Sequence, residues 1–279
     1  GGTMVQVTMP KRILLFGAGR VALPVAKYFR EQTNTHLTIA TEDEEQARLL
    51  IDAISAGQEN AGVSTASGFV HHSISRGRFV PYRFPRDNLA SAGHTTSKLA
   101  ELVHQADVVV SLLPATMHVP IAQECLRQGK DLVTASYVSP DMQKLHQEAK
   151  EKGLIFLNEV GLDPGMDHMM IMSAIDHIRG DMKADITELV SLCGGLPDPI
   201  TASLNPLKYK ISWSPRGVLT AALNSARYLN QGQNIEIPGE ELLAAASYSH
   251  RFPTLRLEVV PNRDSLVYRE LYGLDAARM

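Results

Sequence analysis

The sequence predicts an α/β chain, with a doubly wound parallel sheet followed by a second, mixed α+β domain. Three observations carry this reading. Short apolar runs alternate with helical patterns from Arg12 to Leu157, and a glycine-rich turn joins the first run to the first helix. After His168 the pattern changes to segments that alternate apolar and polar residues. A parallel strand covered by helices on both faces reads as a continuous apolar run, whereas a half-exposed strand alternates with period two.

Taken in order, Arg12-Ile-Leu-Leu-Phe16 is the first strand and Val21 to Arg30 the first helix. Leu37 to Ala40 is the second strand, followed by a helix from Glu44 to Ala53. Ser55 to Arg76 is rich in Gly, Ser and His and reads as a mobile surface insertion. Phe79 to Phe84 is expected as the third strand, Leu99 to Gln105 as a helix and Asp107 to Ser111 as the fourth strand. The helix from Val119 to Gln128 stops at Gly129, because the left-handed position after a helix suits a residue without Cβ. Leu132 to Thr134 is the fifth strand. Ser139-Pro140 supplies an N-cap and first turn for a helix closed by Gly153, and Leu154 to Leu157 is the sixth strand. Beyond it are expected a helix from Met169 to Ile178, strands at 186–192, 209–213 and 255–259, and a helix from Ser214-Pro215 to about Asn230. Gly1-Gly2-Thr3 is set aside from the fold argument.

Composition excludes several classes. A net charge of -3 offers no basic excess for nucleic acid. No apolar run is long enough to span a bilayer. Cys125 and Cys193 are the only cysteines. Two are too few for a disulfide framework or a cysteine-built metal site, which points to a reducing compartment and to no metal.

Gly17-Ala-Gly-Arg-Val-Ala22 between the first strand and helix is a G-x-G-x-x-A form of the dinucleotide fingerprint of Rossmann-type sheets. Gly17 permits the turn, Gly19 lets backbone approach a pyrophosphate, and Ala22 allows the helix to pack closely on the strand. Arg20 and Val21 complete the loop at the helix N-terminus, where amide groups favour phosphate. The bland alternative is a tight turn that binds nothing. Glu42, in Thr41-Glu42-Asp43 at the end of the second strand, suits the ribose hydroxyls of NAD and repels a 2′-phosphate, so NAD is expected over NADP. Leu112, Leu113 and Pro114 close the fourth strand and Ser136-Tyr137 the fifth, where ligand groups collect in open sheets. From spacing alone, each is equally an ordinary strand end. Asp163, in the Gly161-Leu-Asp-Pro-Gly165 turn, and His168 are acid-base candidates; their alternatives are a turn-forming aspartate and a helix-starting histidine. The domain boundary falls here, with a dinucleotide-binding domain over residues 4–165 and a substrate-binding domain over 166–279.

The blocks Gly17–Ala22, Ser111–Pro114, Val133–Tyr137, Asn158–His168, Cys193-Gly-Gly-Leu-Pro197, Asn205–Trp213 and Pro261–Ser265 together resemble the saccharopine dehydrogenase family, in its L-glutamate-forming branch. The resemblance implies oxidative cleavage of saccharopine to L-glutamate and 2-aminoadipate 6-semialdehyde with a nicotinamide cofactor. It implies that Tyr137, Asp163 and Cys193 line the reaction site, with Asp163 preferred for handling the proton. Saccharopine carries three carboxylates, for which Arg216, Arg263 and Lys210 are candidate partners because guanidinium and ammonium groups bind carboxylates. NADP-using members have an arginine near the end of the second strand where this chain has Thr41-Glu42-Asp43, so the chain looks more like NAD-using members. Members of the family extend beyond the position of Met279, so the substrate domain is expected to be incomplete. A homodimer acting on a small molecule is expected, in cytoplasm or mitochondria. The alternatives are a homospermidine-synthase-like or carboxynorspermidine-type enzyme on the same scaffold, and a cofactor-binding protein without activity.

Overall fold

The computed structural model describes residues 10–19, 21–32, 34–55, 73–74, 77–81, 95–211 and 215–274, with positions 55, 73–81, 95–97 and 216 described by backbone alone. The chain divides into two compact units, Gly1–Gly165 and Met166–Met279.

In the first unit, β1 (Lys11–Phe16), α1 (Ala22–Glu31), β2 (Thr35–Thr41) and α2 (Glu44–Ser55) follow one another, then β3 (Ser73–Ile74), β4 (Gly77–Pro81) and α3 (Thr95–His104). After them come β5 (Val108–Ser111), α4 (His118–Gln128), β6 (Asp131–Thr134), α5 (Pro140–Gln143), α6 (His146–Glu151) and β7 (Phe156–Leu157). The strands form one sheet in the order β3-β4-β2-β1-β5-β6-β7. Every pairing is parallel except the β3–β4 hairpin.

Alternation along β1 shows why the sheet is doubly wound. Ile13 and Leu15 pack with Ala22 and Ala26 of α1 and Leu50 and Ile54 of α2. Leu14 and Phe16 point the other way, onto Leu102 and Val103 of α3 and Ile121, Ala122 and Cys125 of α4. Each buried Leu, Ile, Val or Phe among them contributes about 1.5–3 kcal/mol by leaving water. Burial between α4 and the sheet raises the Cys125 thiol pKa to about 12, which makes it an inert core residue. β1 lies between β2 and β5, so the direction of winding reverses at its C-terminal end. Open α/β sheets bind ligands at that switch point.

The expected doubly wound parallel sheet is therefore present, with three local differences. The helix expected from Pro140 to Gly153 is two short pieces, α5 and α6. The sixth strand is paired only at Phe156–Leu157. The third strand starts at Gly77, and residues 82–84 lie outside the described residues, as does most of the expected insertion at 55–76.

The second unit starts with α7 (Met166–Asp176), which continues as a wide π turn, His177–Asp181. It contains α8 (Pro199–Ser203), α9 (Pro215–Ala221), the hairpin β8 (Ala226–Asn230) and β9 (Gln233–Ile237), the short pair β10 (Ser247–Tyr248) and β11 (Glu258–Val259), and α10 (Val267–Leu271). Gln231 and Gly232, with φ of 50° and 80°, make the left-handed two-residue turn that matches strand twist in a hairpin.

Here the pattern misleads. Residues 186–192 are irregular rather than a strand, because Ile186 and Leu189 pack onto Ile175, Tyr272 and Leu274 instead of joining a sheet. Residues 209–211 are likewise irregular, and 212–213 lie outside the described residues. The helix opened by Pro215 ends at Ala221, and the chain past Asn224 is drawn into β8, which pairs with β9. Of the strand expected at 255–259 only Glu258–Val259 pairs. No helix among the described residues is long and apolar enough to cross a membrane.

Candidate active site at the sheet edge

The turn after β1 is held from both sides. Gly17 donates its N–H to Ala40 O at 2.8 Å, and Leu112 donates to Phe16 O at 2.9 Å, so the turn sits between the ends of β2 and β5. Gly17 has φ of +100°, and a Cβ there would lie 3.3 Å from Leu112 O and 3.5 Å from Leu113 Cδ2. Position 17 thus needs glycine twice over, for its conformation and for its space. Gly19 differs: among the described residues a Cβ there would meet only Gln46 Oε1, at 3.9 Å. The described residues thus leave room before Gly19, and α1 starts beside it without a side-chain cap and without an acid in its first turn. Ala22 is fully buried against the sheet. Room beside Gly19, a helix start without a side-chain cap and a helix packed tightly on its strand fit a dinucleotide pyrophosphate. Val21 is exposed at the loop; Arg20 lies outside the described residues.

At the tip of β2 the two acids separate. Asp43 Oδ1 accepts from Gln46 N at 2.9 Å and caps α2. Glu42 is exposed at the strand end, where an adenosine ribose would lie.

The ends of β5, β6 and β7 are cross-linked by side chains. The ladder between β5 and β6 finishes at Ser111 and Thr134. Past it, the buried His118 bridges the two strand ends, with Nδ1 3.0 Å from Ser111 Oγ and Nε2 2.8 Å from Ser136 Oγ. Burial holds this imidazole down to a pKa of about 4, so it is neutral at ordinary pH. Sequence reading singled out Ser136 and missed His118. On the other side, Thr134 Oγ1 donates to Asn158 Oδ1 at 2.9 Å, Glu159 N to Ser136 O at 3.2 Å and Val160 N to Thr134 O at 3.1 Å. Glu159 Oε1 in turn accepts from Val138 N at 2.9 Å.

These bonds place Tyr137 over the 161–165 turn. Its hydroxyl donates to Asp163 Oδ1 at 2.7 Å. The turn closes on itself through Gly161 N to Pro164 O at 2.8 Å, and the Asp163–Pro164 bond is cis. A Cβ at Gly165 would lie 2.2 Å from Gly161 O, so the turn tolerates no side chain there. Asp163 is exposed and Tyr137 half-buried. Structure therefore brings together two residues that the sequence offered separately.

The remaining candidates belong to the second unit. Cys193 is exposed in the irregular segment before α8, not at a strand end. Lys210 and Arg263 are exposed; Arg263 O accepts from Arg227 N at 2.8 Å, beside the two-bond pair of Arg227 with Asp264. The Arg216 side chain lies outside the described residues. His168 hydrogen-bonds through Nδ1 to Tyr272 OH and packs in a tilted ring contact on Tyr268 at 4.9 Å. Burial, reinforced by Asp167, raises the Tyr272 phenol to about 12. A groove of about 430 Å³ between Ala100, His104 and Gln128 lies at the C-terminal ends of α3 and α4. Those helix ends feed the starts of β5 and β6, the sheet edge opposite the glycine turn.

Comparison with known proteins decides the lineage. Residues 13–157 match the model of the saccharopine dehydrogenase NADP binding domain, and residues 161–279 that of the saccharopine dehydrogenase C-terminal domain. The chain belongs to the saccharopine dehydrogenase family. Within the family, it is 35% identical to the alpha-aminoadipic semialdehyde synthase of Arabidopsis thaliana over 286 residues, covering 97% of this chain and 25% of that protein. It is 32% identical to the saccharopine dehydrogenase [NADP(+), L-glutamate-forming] of Saccharomyces cerevisiae over 272 residues, covering 96% of this chain and 53% of that protein. The solved structure of the apo yeast L-Glu-forming enzyme superposes with a TM-score of 0.74 at 31% identity, over 96% of this chain and 53% of that one. The chain thus spans about a quarter of the synthase and about half of the yeast dehydrogenase.

Proposed function

We propose that this chain oxidises the secondary amine of saccharopine, yielding L-glutamate and 2-aminoadipate 6-semialdehyde. The observation that carries the reading is the Tyr137–Asp163 hydrogen bond at the C-terminal edge of a dinucleotide-type sheet. It is supported by the named L-glutamate-forming relatives. The dinucleotide, when bound, accepts a hydride from the substrate carbon next to nitrogen on the aminoadipate side. Gly17, Gly19, Val21 and Ala22, and by its place in the sequence motif Arg20, would hold its pyrophosphate, while Leu112, Leu113, Pro114 and Ser136 would border its nicotinamide half.

Hydride can leave only if the amine nitrogen is unprotonated, since its lone pair forms the new carbon–nitrogen double bond. Asp163 takes that proton, and Tyr137 fixes the orientation of the carboxylate. Asp163 passes that proton to solvent, and the resulting iminium is attacked by water, which gives up a proton to the freed carboxylate. Return of that proton to nitrogen, with the hydroxyl proton passing to the carboxylate as the carbonyl forms, lets the carbon–nitrogen bond break; the released glutamate amine takes up that last proton, and the aldehyde departs. In sum, saccharopine and water lose a hydride and a proton. Cys193, Arg216, Arg263 and Lys210 are assigned to substrate contact in the second unit; carboxylate recognition by Arg and Lys supports this. Tricarboxylate recognition also argues against the polyamine-type alternative, whose cationic substrate calls for an acidic pocket.

The finer cofactor assignment is NAD in preference to NADP. It is supported by the position of Glu42, exposed at the tip of β2. The yeast relatives' names specify NADP(+). Initial rates of reduced-nicotinamide formation from saccharopine test both parts. Turnover with kcat/KM higher for NAD supports them; a preference for NADP rejects the Glu42 assignment, and no turnover with either rejects the reaction.

A further inference from the structure

The bridge at His118 is the feature that this function has not used. β5 and β6 have no paired residues beyond Ser111 and Thr134, yet the loops that follow both strands must hold their spacing at the reaction edge. His118, only 3% exposed, supplies a contact on each side of that gap through its two ring nitrogens. Ser136, its partner on β6, is tied a second time through its carbonyl to Glu159 N. The next residue is Tyr137, whose hydroxyl meets Asp163.

Resting on the function proposed above, we infer that His118 is a positioning residue for the Tyr137–Asp163 pair, acting through the Ser136 hydroxyl. The reasoning is geometric. Ser136 is the residue where three constraints meet: the imidazole from the α4 side, the Glu159 amide from the β7 side, and the peptide leading to Tyr137. With its hydroxyl released, the backbone at 136 keeps one anchor instead of two, and Tyr137 loses its fixed approach to Asp163. A small misplacement of a proton-handling pair slows the chemical step more than it weakens binding. An imidazole suits this task because its nitrogens point in divergent directions, one donating and the other accepting. Burial keeps both available, since a charged ring would lose its acceptor.

Two substitutions separate the two arms of the bridge. His118→Asn places an amide near the Nδ1 position and keeps the Ser111 side; His118→Gln reaches the Nε2 position and keeps the Ser136 side. The expected result is a loss in kcat for saccharopine of about tenfold or more in His118→Asn, with KM and dinucleotide Kd within about threefold of wild type, and recovery to within about threefold of the wild-type kcat in His118→Gln. If His118→Asn does not fold, Ser136→Ala, which removes the same hydroxyl without touching the α4 start, should shift the ring-carbon NMR signal of labelled Tyr137, which loss of a dinucleotide contact in the cofactor-free protein would not do; an unmoved signal overturns the inference. Equal losses in the Asn and Gln variants, or a lowered melting temperature with kcat intact in both, would overturn the inference. Should the wild-type chain fail to turn over saccharopine, the proposed reaction fails, and the inference is read instead from the ring-carbon NMR signal of labelled Tyr137, assigned with Tyr137→Phe. That signal should shift in His118→Asn and return in His118→Gln; an unmoved signal in His118→Asn overturns the positioning role.

Discussion

The Tyr137 hydroxyl donates a hydrogen bond to Asp163 Oδ1 at 2.7 Å, joining the loop after β6 to the turn after β7. Both residues lie past the ends of adjacent parallel strands, and the bonds from Glu159 N to Ser136 O and from Val160 N to Thr134 O tie the two following loops together. Removing either partner should therefore affect chemistry before binding. Asp163→Asn is expected to lower kcat by about 10²-fold, with dinucleotide Kd within about threefold. Tyr137→Phe should lower it less, because the carboxylate would persist without its orienting partner. The double variant should fall short of the product of the two losses, as for groups that act as a unit; steady-state kinetics on the four proteins checks this.

The two fingerprint glycines should fail in different ways. Gly17→Ala puts Cβ 3.3 Å from Leu112 O at φ +100°, so it should cost about 1–2 kcal/mol of folding stability. Gly19→Val adds bulk where the described residues leave room, so stability should change by less than about 0.5 kcal/mol. Dinucleotide Kd should nevertheless rise about tenfold or more as the side chain enters the pyrophosphate path. Denaturant unfolding and cofactor titration separate the two outcomes.

At Gly165 the consequence is structural. Its Cβ would fall 2.2 Å from Gly161 O, which a rigid backbone turn cannot relieve. Gly165→Ala should cost about 3 kcal/mol or more, and an unfolding curve matching wild type would show that the turn adapts.

Acid should destabilise the protein in two windows. His118 titrates near 6.5 when exposed and near 4 in the fold. Between these values the unfolded chain binds a proton that the native chain refuses, so stability falls as pH drops from 6.5 to 4. Asp107, held down to about 2 chiefly by its hydrogen bond with Arg12, contributes stability present above 3.8 and lost as pH falls toward 2. Both partners are partly exposed, so that second contribution should be no more than about 1 kcal/mol. Melting temperature against pH should lose the upper window in His118→Gln and the lower one in Asp107→Asn.

The sheet was legible because each strand is a short apolar run bounded by a helix signal, and burial on both faces leaves few alternatives for Ile-Leu-Leu-Phe. Gly17 was legible because the turn demands glycine. In the second unit, the alternation at 186–192 has the same form as a strand, but strands need partners, and Ile186 and Leu189 found helix α7 and Tyr272 instead. Asp163 and Tyr137 were visible as strand-end residues, yet their bond depends on β6 and β7 being neighbours. His118 was invisible as a lone histidine at a helix start. The available signal was the pair of serines, Ser111 and Ser136, just at or past the ends of two strands that pair directly.

In the proposed reaction, a hydride leaves the carbon next to nitrogen on the aminoadipate side of saccharopine. Saccharopine carrying two deuteriums at that carbon tests it, by mass spectrometry of the nicotinamide and of the aldehyde product. The account predicts one deuterium on the reduced nicotinamide and one retained in 2-aminoadipate 6-semialdehyde, with unlabelled glutamate released. Reduced nicotinamide without deuterium, or deuterated saccharopine recovered unchanged alongside bound dinucleotide, would contradict it.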